Sequence, residues 1–89
     1  MTVTVQLDPR CVFDIGVRTP DRRMLVKEYV RAISRILAES AGRPPGCVPS
    51  ADDPGLYYWV DGNWRVGFTV TPLSGGTDVT IRRIELRGG

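Results

Sequence analysis

Hydrophobic and polar residues alternate from the start of the chain, with Val3, Val5 and Leu7 spaced by Thr2, Thr4 and Gln6. Period two marks a half-buried strand. After Asp8-Pro9-Arg10 the alternation resumes, setting Cys11, Phe13, Ile15 and Val17 against Val12, Asp14, Gly16 and Arg18. Two alternating runs around a three-residue turn predict a β-hairpin. The period then changes. From Pro20 to about Ala41, the residues Leu25, Val26, Tyr29, Val30, Ile33, Ile36 and Leu37 fall on one helical stripe. Thr19 can cap this helix, Pro20 suits its first position, and Asp21 complements the positive end of its dipole. Gly42 and the Arg-Pro-Pro-Gly that follows stop it.

A proline-rich loop, residues 42–55, leads to three more strand candidates: Leu56 to Val60, Trp64 to Thr71 and Thr77 to Arg87. Asp61-Gly62-Asn63 signals a tight turn between the first two, and residues 72–76 join the last two. Trp64, Val66, Phe68 and Val70 share a face. In the last strand the apolar parity shifts between Val79/Ile81 and Ile84/Leu86, which predicts a bulge near Arg82 or the end of regular pairing. The order is β-β-α-β-β-β. A single amphipathic helix has only the sheet against which to bury its stripe, so the fold class is α+β in two layers.

Length and composition narrow the picture only a little. The 89 residues suit one domain with one core. No apolar run reaches bilayer length, and the alternating N-terminus lacks the pattern of a signal peptide, so a cytoplasmic protein is expected. The net charge is +2, and Lys27 is the sole lysine among the 12 basic residues. Arg22-Arg23 and Arg82-Arg83 read as solvated surface, which makes nucleic acid an unexpected partner. Cys11 and Cys47 have no metal-ligand spacing and the chain has no histidine, so neither a metal site nor a Cys–His pair is expected.

The layout resembles that of ubiquitin-like β-grasp proteins. The resemblance rests on the hairpin "MTVTVQLDPRCVFDIGV", the Thr19 cap, "RPPG" after the helix, and "LYYWVDGN" before a final strand. The ending "IELRGG" resembles the ubiquitin tail, and "VTVQLDPRCVFDIGV" resembles the N-terminal hairpin of bacterial YukD-like members. The resemblance implies a mixed sheet of four to five strands with one long helix across one face. Residues 1–89 would be a single ubiquitin-like domain, with 85–89 as an extended tail. It implies a bacterial modifier or carrier, not itself an enzyme and holding no cofactor, whose terminal carboxylate an E1-like enzyme activates with ATP. Gly88 and Gly89 would be the reactive end, since a Cβ there would crowd the carboxyl carbon. Arg87 and Leu86 would be read by the activating enzyme. An E2-like enzyme, a deconjugating protease and a target protein would be further partners. Tyr57 and Trp59 would be exposed anchors for partners. A YukD-like role would instead make the chain a non-covalent interaction module.

A second stretch, "GLYYWVDGNWRVGFTV…DVTIRRIELR", resembles the C-terminal meander of RelE/ParE toxins, where an aromatic–Arg pair (here Trp64-Arg65) precedes an apolar strand. That resemblance implies a ribonuclease toxin paired with an antitoxin. Arg65, with Arg82 or Arg83, would steady the scissile phosphate of messenger RNA. Two departures stand against it. The toxin layout has a helical hairpin where residues 11–17 alternate, and no histidine or C-terminal tyrosine offers acid or base. The N-terminal half therefore puts the ubiquitin-like layout first. That layout requires the fourth strand to be brief, because a long one hairpinned to the last strand leaves no crossover.

Overall fold

The computed structural model of the chain describes residues 2–15 and 22–87. The expected cap Thr19, with Pro20 and Asp21, and the terminal Gly88 and Gly89 lie outside the described residues. Five strands and one helix follow in the order β1 (Thr2–Ile15), α1 (Arg22–Glu39), β2 (Val48–Pro49), β3 (Leu56–Asp61), β4 (Trp64–Leu73) and β5 (Gly76–Leu86). The sheet order is β1-β5-β4-β3-β2, antiparallel except for the parallel pair β1/β5. The α+β class and one helix among the described residues are as the hydrophobic pattern predicts, and the mixed sheet is as the ubiquitin-like resemblance implies.

The N-terminal hairpin does not form. β1 runs in one direction beside β5, pairing Val3 with Thr77 and Leu7 with Ile81, then Val12 with Arg83 and Ile15 with Leu86. Between these halves Asp8-Pro9-Arg10-Cys11 bulges out of register. The turn residues are satisfied locally: the Asp8 carboxylate accepts the Arg10 backbone N–H at 2.7 Å and pairs with the Arg82 guanidinium. These two contacts, the backbone one first, hold the Asp8 carboxyl below its ordinary range. Pro9 has no N–H to lose from a ladder. The chain therefore leaves β5 for a few residues and rejoins it, instead of reversing.

The same level of the sheet carries the bulge expected near Arg82. Gly67 faces Arg83 and Phe68 faces Ile81, so Arg82 is the extra residue on β5. This restores the parity, and Val79, Ile81, Ile84 and Leu86 are all buried. β4 is a continuous ten-residue strand hairpinned to β5, so the crossover a β-grasp layout needs is not made. The loop read as irregular contributes the short β2, which pairs with β3.

Ile33 and Leu37 of α1 close the core against Val66, Phe68, Val79, Ile81 and Ile84. Ile36, on the predicted stripe, is exposed at its edge. Nearer the start of α1, the Tyr29 ring stacks on Trp64 with centroids 3.7 Å apart, and its hydroxyl donates to Asp61 Oδ2 at 3.3 Å. Burial first, and then the Asp61 charge, push the Tyr29 phenol well above its ordinary value. A raised native value means the neutral phenol's contribution is complete below the ordinary tyrosine range, about pH 10, and is lost as pH rises through it. The urea midpoint should therefore fall above about pH 10. Tyr29→Phe should flatten that fall; an equal alkaline slope in the variant would remove Tyr29 as its source. No helix of the described residues is long and apolar enough to cross a membrane.

Candidate functional site

One sheet face carries the core and α1. On the other, alternation and register line up two adjacent cross-strand rows. Val60, Arg65, Glu85 and Asp14 form one, and Tyr58, Gly67, Arg83 and Val12 form the other. At their junction Glu85 is only 2% exposed although it faces away from the core. Arginines gather on it. Arg65 Nη1 reaches Glu85 Oε2 at 3.2 Å, and Arg83 Nη2 and Arg87 Nη2 reach Oε1 at 3.3 and 3.7 Å. Arg83 also lies 4.0 Å from Asp14 Oδ2. Three guanidinium groups thus meet two carboxylates, which leaves positive charge in excess. All three guanidinium side chains remain at least 41% exposed, so their outer N–H groups can meet a ligand while the inner ones stay on buried Glu85.

The Arg65 guanidinium also lies over the Tyr58 ring, 4.1 Å from its centroid, a cation–π contact that orients its plane. Gly67 makes room for this arrangement. A Cβ at Gly67 would sit 3.0 Å from Tyr58 Cε1 and 3.3 Å from Arg83 Cβ. The chemistry available is recognition of a phosphate or carboxylate by planar, preorganised forks.

The residues singled out in the sequence divide between the faces. Arg65 and Arg83 converge on Glu85. Arg82 does not join them: its Nε donates to Thr69 Oγ1 at 3.3 Å, and it pairs with Asp8 at the bulge. Tyr57 and Trp59 are not outward anchors, because they share the core face with their partners Phe68 and Val66. Tyr57 packs on Phe68 with ring centroids 6.0 Å apart. The outward aromatic is Tyr58, and the alternation within "YYW" already separates it from its neighbours. Glu85 was not legible as the hub, since only the register puts it beside Arg65. Leu86 is buried in β5 and the Arg87 N–H donates to Asn63 O at 3.0 Å, so residues 85–87 are held to the sheet instead of starting a free tail.

No family model matches the chain, and no curated protein matches it. Among solved structures, a chain of the toxin–antitoxin complex RelBE2 from Mycobacterium tuberculosis is similar, with a TM-score of 0.64 and 19% identity. The match covers 98% of this chain and 100% of that one. The two share a fold. This finding overturns the reading as a ubiquitin-like modifier activated at Gly89, and with it the E1-like enzyme, E2-like enzyme and deconjugating protease as partners. The physical ground agrees: the hairpin that carried the ubiquitin-like resemblance is a single strand laid parallel to β5.

Proposed function

We propose that this chain is the toxin-type member of a toxin–antitoxin pair and cleaves RNA on its open sheet face. The observation that carries the reading is the set of three arginines gathered over buried Glu85. The likeness in fold to a chain of a toxin–antitoxin complex supports the class. An RNA phosphate presents two non-bridging oxygens, which the exposed outer N–H groups of Arg65 and Arg83 can meet while Glu85 keeps the inner ones. In the cleavage step the 2′-oxygen attacks phosphorus and the bond to the 5′-oxygen breaks. The arginines stabilise the charge that gathers on the non-bridging oxygens. Water takes the 2′-proton and returns one to the leaving 5′-oxygen, since the chain has no histidine to do so. Glu85 is a positioning residue: it holds the forks parallel before the substrate arrives.

Two experiments test this. Induced alone in a bacterial host, the chain should arrest growth, and an antitoxin encoded beside it should relieve the arrest. In vitro, the purified protein should cut single-stranded RNA, and 2′-deoxy substitution at the cut nucleotide should stop the cleavage. Binding should weaken with salt with a slope of about −2, as expected for two or three phosphate contacts on a single strand. Normal growth together with no RNA binding at low salt would refute the proposal. Gly67→Val gives a finer check. Gly67 is buried beneath Tyr58 and Arg83, so the new side chain displaces both: RNA affinity should drop about tenfold, the size of one lost charge-assisted contact, with about 1–3 kcal/mol lost from overpacking and the fold retained by circular dichroism. Unchanged affinity would mean that the Tyr58–Arg65 geometry is irrelevant to binding.

A further inference from the structure

Beside the arginine cluster a groove of about 510 Å3 opens between the 46–52 segment and β3, and it shares Tyr58 and Arg65 with that cluster. Its apolar lining is Val48 and Val60, which are 61% and 65% exposed, together with the Tyr58 ring. Val48 sits directly across from Tyr58 in the β2/β3 pair, so the two share the open face. Ser50 and Asp52 supply polar lining, and the Ser50 hydroxyl accepts the Asp52 backbone N–H at 3.3 Å. Among the described residues no arginine or lysine pairs with the Asp52 carboxylate.

We infer that this groove is a nucleobase subsite that prefers unpaired guanine next to the phosphate held by Arg65 and Arg83. The inference rests on the reading of the open face as an RNA site. Its volume fits one base with its ribose, within the range of small-ligand pockets. The Tyr58 ring and the Arg65 guanidinium beside it can stack a base, and the exposed valines offer it apolar contact. Among the described residues no side chain donates to the Asp52 carboxylate. Guanine is the base that satisfies it best, because its N1–H and N2–H2 lie side by side and match the two oxygens of a carboxylate. Adenine and cytosine offer it only one amino group, and uracil offers a single imide N–H. Continuity between groove and cluster sets the order of events: the phosphate is gripped by Arg65, and the attached base falls onto Val60 and Val48.

The test uses fluorescein-labelled short oligouridine with one central guanosine, adenosine, cytidine or uridine, made 2′-deoxy at the central nucleotide so that it is not cut. Fluorescence anisotropy with the whole chain should give about tenfold tighter binding of the guanosine oligomer than of the uridine one, within the discrimination of a good bidentate base contact. Asp52→Asn, an exposed loop change, should remove this preference, so that the variant binds the guanosine and uridine oligomers equally. Equal affinity for all four oligomers, or a guanine preference that survives in Asp52→Asn, overturns the inference. If binding in that case is still lost in Arg65→Ala, the reading of the open face stands alone. No binding by any oligomer at low salt overturns both.

Discussion

Arg65→Ala combined with Arg83→Ala should abolish growth arrest and lower RNA cleavage about a thousandfold, with each single change costing about ten- to a hundredfold. Removing one preorganised donor to a developing oxyanion typically costs about 100- to 1,000-fold. The single changes should fall at or below the low end of that range, because Arg87 lies within reach of the same carboxylate, 3.7 Å from Glu85 Oε1. The fold should survive, since the arginine side chains that cover Glu85 are themselves 47% and 41% exposed, so their removal opens its carboxylate to water, and Arg87 still reaches it. Lysine at either position should not rescue activity, because a point charge lacks the planar fork. Glu85→Gln completes the set. It keeps the cations but removes the charge that holds them together, so RNA should bind more tightly and be cut more slowly. A double arginine variant that folds, arrests growth and cuts RNA at the wild-type rate would place the active site elsewhere.

Gly42→Ala should cost about 2–5 kcal/mol, the largest effect expected outside the core. The end of α1 explains why. The Gly42 N–H donates to Leu37 O at 2.8 Å and the Ala41 N–H to Ala38 O at 3.4 Å, the paired closure of a Schellman motif. Gly42 has φ of 77° and is buried, and a Cβ there would lie 2.9 Å from the Cγ2 atoms of both Val70 and Val79. A left-handed residue with a Cβ costs about 1–2 kcal/mol, and overpacking adds about 1–3 more. The stability of a domain this size is about 4–13 kcal/mol, so the loss is a large share of it. The neighbouring position gives the opposite sign. Ala41 carries φ of 53° with a side chain, so Ala41→Gly should stabilise by about 0.5–1 kcal/mol. Chemical denaturation of both variants checks the pair. A Gly42→Ala protein within about 0.5 kcal/mol of wild type would mean that the 40–43 turn can move off the sheet without loss.

Much of the fold is legible in local pattern because local pattern reports which way a side chain faces. Ile33 and Leu37 on the helical stripe, Val66 and Phe68 on one face of β4, and the parity change at Arg82 all follow from period alone. Alternation also separates Tyr58 from Tyr57 and Trp59 without saying which faces out: Tyr57 and Trp59, expected outward, are turned to the core by their pairing with Phe68 and Val66. The candidate site was half legible. Arg65 and Arg83 can be picked out as a possible phosphate clamp, but their gathering depends on Glu85 standing at the register position between them. Arg82, chemically identical and adjacent in sequence, is diverted to Asp8 by the bulge.

What the sequence determined by itself was the set of elements and the facing of their residues: one amphipathic helix, alternating strands, an α+β class, and a bulge at Arg82. What only the tertiary structure decided was the choice of strand partner. Alternation in residues 2–15 is the same whether the two halves pair with each other or both pair with β5, because period two encodes a face and not a neighbour. The Asp8-Pro9-Arg10 turn would serve a hairpin equally well. The choice went to β5 because that strand, the last along the chain, has one edge filled by β4 and offers its other edge to Val3–Leu7 and Val12–Ile15. Arg82, pushed outward by the mismatch with β4, reaches across to anchor the Asp8 bulge.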